Sequence, residues 1–345
     1  MSIYINAHRR LEQFLPQSIV IVRSLPGLGD WLCVIPALRA LRTALPNAEI
    51  TLIGLKQVNQ WLPRFQCYVD RWLEFPGYPG IPEVPFFAER TVTFLSQMQL
   101  NPADLALQLH GDGSCINSFT LLLGATHSVG FFPKERCPEA GWFLPYPEHE
   151  SEIWRNLRLM EFLGIPLQGD QLEFPLRSAD WKEWAALVAT YPSLNSPFVC
   201  IHPGASTPDR RWSVAAFAQV ADALATQGQH IVLTGTDAEH SLTQAVAEAM
   251  QFPSINLAGK TSLGALALLL KQSRGLICND TGISHLAAAL QVNSVVIFIS
   301  SDPQRWAPLD RSRHRMVIAT QHCVQQEIDQ VLTEIDRWEM AYVHQ

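Results

Sequence analysis

The sequence predicts an α/β protein made of two doubly wound domains, each built on a parallel β-sheet. The chain has 345 residues, about twice the length of a typical domain. In both halves, apolar and β-branched runs alternate with segments of helical period, the pattern of strands that helices cover on both faces. With 48% hydrophobic and 17% charged residues, the chain is too apolar for a disordered protein and can bury a core in each half.

The alternation is most regular in the second half of the chain. The predicted strands there are 198–202, 230–235, 254–257, 275–279 and 294–299. The predicted helices between them are 214–226, 238–250, 263–272 and 284–290. Because a crossover helix follows each strand, the strands should be parallel and buried on both faces. We place this domain at residues 198–323.

The first half opens in the same way and then becomes less regular. Its predicted strands are 18–23, 49–54 and 104–110, and its predicted helices run from the glycine turn at 27 to Leu45 and from about 150 to 163. Prolines at 76, 79, 82 and 85 predict an extended surface loop between about residues 58 and 90. We place this domain at residues 1–175, followed by a proline-bracketed connector at 176–197.

Residues 324–345 show one more helical pattern. Apolar residues recur with the spacing of one buried helix face, at Val324, Ile328, Val331, Ile335 and Trp338. This spacing predicts a C-terminal helix that packs on one of the two domains. The sequence leaves the packing surface open, and the first domain is one candidate.

Charge, hydropathy and cysteine content exclude several classes of protein. The net charge of −7 disfavours binding to nucleic acid phosphates. The longest apolar stretches, 263–270 and 295–299, are far shorter than the about 20 residues of a membrane-spanning helix. The amino-terminal residues lack a secretory signal pattern, and the seven cysteines form no Cys-x-x-Cys pair. We therefore expect a reduced, cytoplasmic protein without a cysteine metal site.

The distinctive polar residues follow predicted strands, at the sheet edge where open parallel sheets bind ligands. In the first half, strand 18–23 leads into a Gly-x-Gly-Asp turn that ends at Asp30. In the second half, the residues that follow strands are Ser206, Arg210, Arg211, Glu239, Asp280, Thr281, Gly282 and His285. Because these strand ends meet at one edge, we expect a ligand site there.

Two short motifs resemble cofactor signatures but do not complete them. The turn at 27–30 lacks the third glycine of a dinucleotide fingerprint, and Gly54 ends the second strand where such a site needs an acid. The segment Gly259-Lys260-Thr261 lacks the earlier glycine of a P-loop, because that position is Ser254. No Asp-x-Asp pair occurs, so we predict neither a metal nor a cofactor. Arginine side chains and helix N-termini would then neutralise a diphosphate.

Each candidate residue also has a purely structural interpretation. Asp30 could serve only as the N-cap of the following helix, and the turn at 280–282 could be a simple cap. Arg210 and Arg211 could lie in a solvated loop, and His285 could be a buried core histidine. Their shared position after strands favours a binding site.

Several segments resemble glycosyltransferase family 9, whose members include the ADP-heptose lipopolysaccharide heptosyltransferases. They are GLGDWLCVIPALRALRTALPNAEITLIG, HPGAS, RRW, LTGTDAEH, NLAGKTSL and NDTGISHLAAAL, followed by Asp302-Pro303. They occur in the family's order over about residues 18–310. The resemblance implies a GT-B fold, in which two Rossmann-like domains face each other across a cleft. It assigns the nucleotide sugar to the second domain and the acceptor to the first.

The resemblance also implies a role for each candidate residue. Asp30 matches the general base, Arg210 stands where the family commonly has a diphosphate-binding lysine, and Glu239 matches a glutamate that binds the nucleoside. The full donor-binding set is Ser206, Arg210, Arg211, Glu239, Asp280, Thr281, Gly282 and His285. The acceptor-side set is Gly29, His110 and Asp112.

Three departures from the family pattern bear on function. Arg210 replaces the lysine, and Ile299-Ser300-Ser301 replaces a Gly-Pro-Thr segment. The acceptor-side motif reads QLHGDGS at 108–114, without the basic residue that usually follows it. This last change argues against an anionic acceptor such as Kdo.

The sequence as a whole predicts an inverting, metal-independent glycosyltransferase. The family resemblance implies that the enzyme would move a sugar, with heptose as the candidate, from an ADP-sugar to a hydroxyl of a cell-envelope glycan or lipopolysaccharide core. We expect no nucleic acid partner and a cytoplasmic location, with peripheral contact at the inner membrane as an option. Two alternatives stay open, namely a catalytically silent sugar-nucleotide-binding protein and a GT-B-like nucleotide-sugar epimerase.

Overall fold

The computed structural model describes residues 11, 14–133, 138, 140–320 and 322–342. The chain divides into two compact units, Met1–Gln171 and Leu172–Gln345. Each unit holds one six-stranded sheet, and every strand pairing in both sheets is parallel. Nearly all of the amino-terminal segment, for which we predict no secretory signal, lies outside the described residues. The predicted pair of parallel α/β domains is confirmed.

The described residues of the first unit form six strands and four α-helices. The strands are β1 (Ser18–Arg23), β2 (Glu49–Gly54), β3 (Arg71–Glu74), β4 (Leu105–Gln108), β5 (His127–Phe132) and β6 (Trp142–Pro145). The helices are α1 (Leu28–Ala44), α2 (Ala88–Leu100), α3 (Ile116–Leu122) and α4 (Glu152–Phe162). The strand order is β3-β2-β1-β4-β5-β6. β1 and β2 have the bounds that their apolar runs predict, because each is buried along nearly its whole length.

The second unit repeats this architecture with additional helices. Its helices are α5 (Ser178–Thr190), α6 (Val214–Thr226), α7 (His240–Ala249), α8 (Leu263–Gln272), α9 (Gly282–Ala289), α10 (Pro303–Trp306) and α11 (Val324–Tyr342). Its strands are β7 (Phe198–His202), β8 (His230–Leu233), β9 (Ser254–Asn256), β10 (Leu276–Asn279), β11 (Ser294–Phe298) and β12 (His314–Ile318). The strand order is β12-β11-β10-β7-β8-β9.

The segment predicted as a connector, residues 176–197, contains a helix. α5 begins after Arg177, whose backbone N–H donates to a carboxylate oxygen of Asp180 at 2.7 Å. The helix packs against α8 and therefore belongs to the second unit. The helix ends at Thr190, two residues before Pro192, because a proline cannot continue a helix.

The C-terminal helix α11 packs on α6, β11 and β12 of the second unit. Its apolar stripe, Ile328, Val331, Ile335 and Trp338, joins the core that covers this sheet. A buried carboxylate fixes the helix as well, because Glu327 accepts hydrogen bonds from Trp212 Nε1 at 2.9 Å and from the Thr320 backbone at 2.8 Å. No helix among the described residues, the 19-residue α11 included, is long and apolar enough to cross a membrane.

Both sheets have the same topology when their strands are numbered from the first strand of each unit. That order is 3-2-1-4-5-6, the order of doubly wound nucleotide-binding folds. The chain reverses direction across each sheet between the first and fourth strands, which are β1 and β4 in one unit and β7 and β10 in the other. Ligands bind such folds outside the carboxyl ends of these two strands, at the switch point.

Candidate active site

The switch point of the first sheet carries Asp30. The last residue of β1 is Arg23, and α1 begins five residues later with Gly27 as its N-cap. Asp30 lies in the first turn of α1, half-buried, and therefore is not the N-cap that the structural interpretation proposed. A Cβ at Gly27 would clash with Oδ2 of Asp30. Glycine at this position thus leaves room for the carboxylate to fold back over the start of the helix.

The loop after β4 places His110 beside the loop after β1. The backbone N–H of Ser24 lies 3.3 Å from Nδ1 of His110, and the Ser24 hydroxyl lies 3.0 Å from the same atom. Because a backbone N–H can only donate, Nδ1 is the acceptor and the imidazole proton lies on Nε2. Asp112 folds onto its own loop, since its Oδ1 accepts from the backbone and the hydroxyl of Ser114 at 2.9 and 2.7 Å.

The first sheet is packed closely beneath this loop. Gly130 on β5 faces Gln108, and a Cβ there would lie 2.7 Å from the Gln108 Cβ. The side chain of Gln108 accepts from the Phe131 backbone at 2.9 Å and donates to the carbonyl of His110. The loop that carries His110 is therefore held from below by a buried amide.

Burial, with the positive charge of Arg23 as a further cause, lowers the pKa of His110 to about 4, against a weaker opposing effect of Asp112. Because the folded-state pKa lies below the ordinary value of 6.5, the neutral imidazole stabilises the fold fully above pH 6.5. This stabilisation is lost as the pH falls from 6.5 through 4, when the unfolded chain binds the proton more readily.

We expect His110→Gln to reduce the acid sensitivity of folding. Between pH 6.5 and 4 the wild-type free energy of unfolding should fall by up to about 3 kcal/mol more than that of the variant. In this range the histidine binds a proton in the unfolded wild-type chain but stays neutral in the folded protein, whereas glutamine does not titrate. Urea unfolding of both proteins across this pH range measures the difference. Parallel pH profiles for the two proteins would show that His110 is not held neutral.

The switch point of the second sheet brings together Arg210 and Asp280. Arg210 ends a 3₁₀ turn after β7, and Asp280 follows β10 directly. Arg210 Nη1 lies 3.9 Å from Asp280 Oδ2. The arginine side chain is 35% exposed and the carboxylate only 4%. The guanidinium is therefore the accessible member of this pair and can contact a ligand.

Asn279, the last residue of β10, organises the loops around this pair. Its side chain donates to the carbonyl of Pro203 at 2.8 Å and accepts from the Trp212 backbone at 3.0 Å. These bonds tie both ends of the 203–212 segment to β10. We did not predict this role from the sequence. An asparagine that ends an apolar run is a usable sequence signal for it, because an amide buried there must form hydrogen bonds, and Asn279 is wholly buried.

Glu239 lies beside the loop after β7, and one of its carboxylate oxygens already accepts hydrogen bonds from a neighbouring residue. Its Oε2 accepts from the backbone and the hydroxyl of Thr236, both at 2.8 Å, in a capping box. A Cβ at Gly204 would clash with Oε1 of Glu239, so the loop after β7 needs glycine at this contact. His202 Nε2 lies 4.0 Å from Oε2, and burial lowers the pKa of that histidine.

The helix α9 starts at the same switch point, with Thr281 as N-cap and Gly282 as its first residue. The threonine hydroxyl makes no capping hydrogen bond, and Ser284 instead donates to the Thr281 carbonyl at 2.8 Å. This arrangement leaves the positive end of the helix dipole facing the switch point. His285 is buried, with its ring 6.2 Å from that of Trp306. This position agrees both with a histidine of the packed core and with a histidine of the ligand site.

The remaining candidate residues lie in the surrounding loops. The guanidinium of Arg211 donates to the carbonyl of Ala205 at 3.0 and 3.3 Å, so it braces the loop after β7. Ser206 is exposed in that loop. Ser300, one of the departures from the family pattern, donates to Asp209 Oδ2 at 2.7 Å and links the loop after β11 to the turn before Arg210.

A metal site does not emerge from the described part of the chain, where no group of three or more His, Cys, Asp or Glu side chains could hold an ion. The polar groups at the two switch points include the carboxylates of Asp30 and Asp280, the imidazole of His110 and the partly exposed guanidinium of Arg210. Such a set can bind an anionic ligand at the second sheet and a polar group at the first.

Solved structures show the class of fold. The E. coli ADP-heptose lipopolysaccharide heptosyltransferase II structure aligns with a TM-score of 0.70 at 20% identity, over 93% of this chain and 99% of that one. A glycosyltransferase family 9 structure from Veillonella parvula aligns with a TM-score of 0.74 at 19% identity, over 92% and 89%. The chain thus has the predicted GT-B fold with its two parallel α/β domains.

The family follows from the sequence itself. The model of glycosyltransferase family 9 (heptosyltransferase) matches residues 94–335. The chain therefore belongs to this family, as the resemblance of its motifs predicted.

Individual relatives are similar over different lengths. Lipooligosaccharide heptosyltransferase 2 of Haemophilus influenzae is 31% identical over 33% of this chain and 34% of its own length. The lipopolysaccharide core heptosyltransferase OpsX of the same organism is 20% identical over 85% of this chain and 82% of its own length. The match to the more identical relative thus spans about a third of that protein.

Proposed function

We propose that the protein is an inverting, metal-independent glycosyltransferase that moves a heptose from an ADP-sugar to a hydroxyl of a cell-envelope glycan or lipopolysaccharide core. The observation that carries this proposal is the pairing of Arg210 with Asp280 beside the start of α9, at the switch point of the second sheet. The family and the names of its relatives support the sugar and acceptor class, and one related structure contains ADP.

In this proposal the second domain binds the donor. Arg210 and the backbone N–H groups at the start of α9 stabilise the negative charge that grows on the diphosphate as the sugar–oxygen bond breaks. Asp280 accepts hydrogen bonds from the sugar hydroxyls, and Glu239 contacts the nucleoside with the carboxylate oxygen outside its capping box. ADP is the leaving group.

The first domain supplies the base. Asp30 takes the proton of the acceptor hydroxyl as that oxygen attacks the anomeric carbon from the face opposite the diphosphate, which inverts the configuration. A carboxylate is a weak base, so most of the rate must come from positioning the two substrates. His110 carries its proton on Nε2 and can donate to an acceptor oxygen, while Gly29 and Asp112 shape the same side. We place the reaction in the cytoplasm, with peripheral contact at the cytoplasmic face of the inner membrane.

We expect chelators to leave the transfer rate unchanged. Arginine and helix dipoles meet the diphosphate charge in this proposal, so no divalent ion has to neutralise it. Transfer measured in EDTA and after addition of magnesium or manganese provides the check. Loss of activity in EDTA that either ion restores would overturn the metal-independent mechanism.

The donor class is testable by thermal unfolding with a panel of nucleotide sugars. A ligand at a hundred times its dissociation constant stabilises the folded protein by about 2.7 kcal/mol. We expect ADP and ADP-heptose to raise the melting temperature and UDP-sugars to leave it unchanged. Stabilisation by UDP-sugars alone would contradict the proposed donor.

A further inference from the structure

Arg23 is a buried charged residue that the proposed chemistry does not yet use. It ends β1 and is only 4% exposed. A buried charge is costly unless hydrogen bonds and an opposite charge compensate it. Its position, at the end of the strand that precedes Asp30, places those compensating contacts at the switch point of the first sheet.

The guanidinium bridges the two loops of that switch point. Nη2 donates to the backbone carbonyl of Asp30 at 2.6 Å, and Nη1 donates to the backbone carbonyl of Leu109 at 2.6 Å. One carbonyl belongs to the first turn of α1, and the other precedes His110 directly. Because a guanidinium is planar and rigid, the two short bonds fix the distance between these loops.

Side chains of α4 hold the guanidinium from the other side. Asn156 Oδ1 lies 3.4 Å from Nη1, and Glu152 Oε1 lies 3.8 Å from Nη2. Asn156 in turn donates to the carbonyls of Glu152 at 2.7 Å and Cys33 at 3.4 Å, the latter within α1. Arg23 is therefore fixed in a network that joins β1, α1, α4 and the loop after β4.

We propose that Arg23 is a positioning residue for sugar transfer: it holds the Asp30 helix start and the His110 loop at one fixed separation. This inference rests on the transferase function proposed above. Lysine has one compact ammonium group in place of a fork, so it can reach one carbonyl well but cannot span both in the same geometry. Catalysis is sensitive to such displacements, because a misplacement of about 1 Å can cost about 100-fold in rate.

The test compares Arg23→Met and Arg23→Lys with Arg71→Met as a matched control. Arg71 lies on the same sheet, but its ion pair with Glu49 is on the surface. We expect Arg23→Met to lower kcat about 100-fold with KM for the donor within twofold, and Arg23→Lys to lower kcat about tenfold. The control should keep wild-type kinetics. A kcat within threefold of wild type in both Arg23 variants would overturn the inference.

Amide hydrogen exchange provides a readout that does not depend on activity. Exchange should accelerate at residues 27–34 and 109–114 in Arg23→Lys, which retains the charge, and should stay unchanged there in Arg71→Met. Unchanged exchange in both segments would contradict the positioning role even if the transferase proposal holds. If Asp30→Asn retains full activity while both segments exchange faster in Arg23→Lys, the general-base assignment of Asp30 fails. The role of Arg23 in holding the two loops together is then still supported.

Discussion

Replacing Asp30 with asparagine should lower sugar transfer by a factor of 10² to 10⁴, the contribution of a general base, while ADP affinity stays within about twofold. The amide occupies the same volume at the start of α1 but cannot accept the proton of the acceptor hydroxyl. ADP affinity should be unaffected because the proposed donor contacts lie on the other unit. Single-turnover transfer assays together with calorimetry against ADP measure both quantities.

Asp336→Asn is the matched control for this substitution. Asp336 is exposed on α11, and its change makes the same charge difference without touching either switch point. We expect wild-type transfer from the control. Near wild-type turnover by Asp30→Asn would reduce Asp30 to a structural residue of the first turn of α1.

Removal of the Arg210 side chain should weaken ADP binding about 10- to 150-fold, which corresponds to about 1.5–3 kcal/mol for a lost charge-assisted contact. The guanidinium is the accessible member of its ion pair with Asp280, and alanine would also remove this partner from the buried carboxylate. Arg210→Lys should recover much of the affinity because it keeps the charge and loses only the fork geometry. Calorimetry against ADP gives the three dissociation constants.

Arg211 provides an internal control for this prediction. Its guanidinium already donates to the Ala205 carbonyl, so Arg211→Ala should change the loop after β7 without removing a diphosphate contact. We expect a loss of affinity several times smaller than that of Arg210→Ala. Unchanged affinity in Arg210→Ala with a large loss in Arg211→Ala would show that the neighbouring arginine binds the diphosphate.

The sequence predicts best those strands whose residues are nearly all buried, because their apolar runs are unbroken. β1, β2 and β7 match their apolar runs residue for residue. The strands that it misses are short, lie at sheet edges or contain atypical residues. β3 has an exposed charged residue at each end and two half-buried residues between them. β5 contains Gly130, where a Cβ would clash with Gln108. Local patterns cannot reveal such a pairing between residues far apart in the chain.

The same limit applies to the candidate site. The position of Asp30 and Asp280 after strands is a local property, and the sequence predicts it. The contact between Arg23 and Leu109 spans 86 residues and depends on β1 pairing with β4. Likewise, the apolar stripe of α11 specifies a buried helix face but not the elements that cover it, so the sequence alone could not name α6, β11 and β12 as its packing partners.

The most direct test of the central claim is the anomeric configuration of the product. Purified protein is incubated with ADP-heptose and a deacylated lipopolysaccharide core that carries free hydroxyls, and the product is analysed by NMR. We expect one heptose to be transferred for each ADP released, with an anomeric configuration opposite to that of the donor. Retained configuration, an epimerised donor formed without acceptor, or donor binding without any transfer would contradict it.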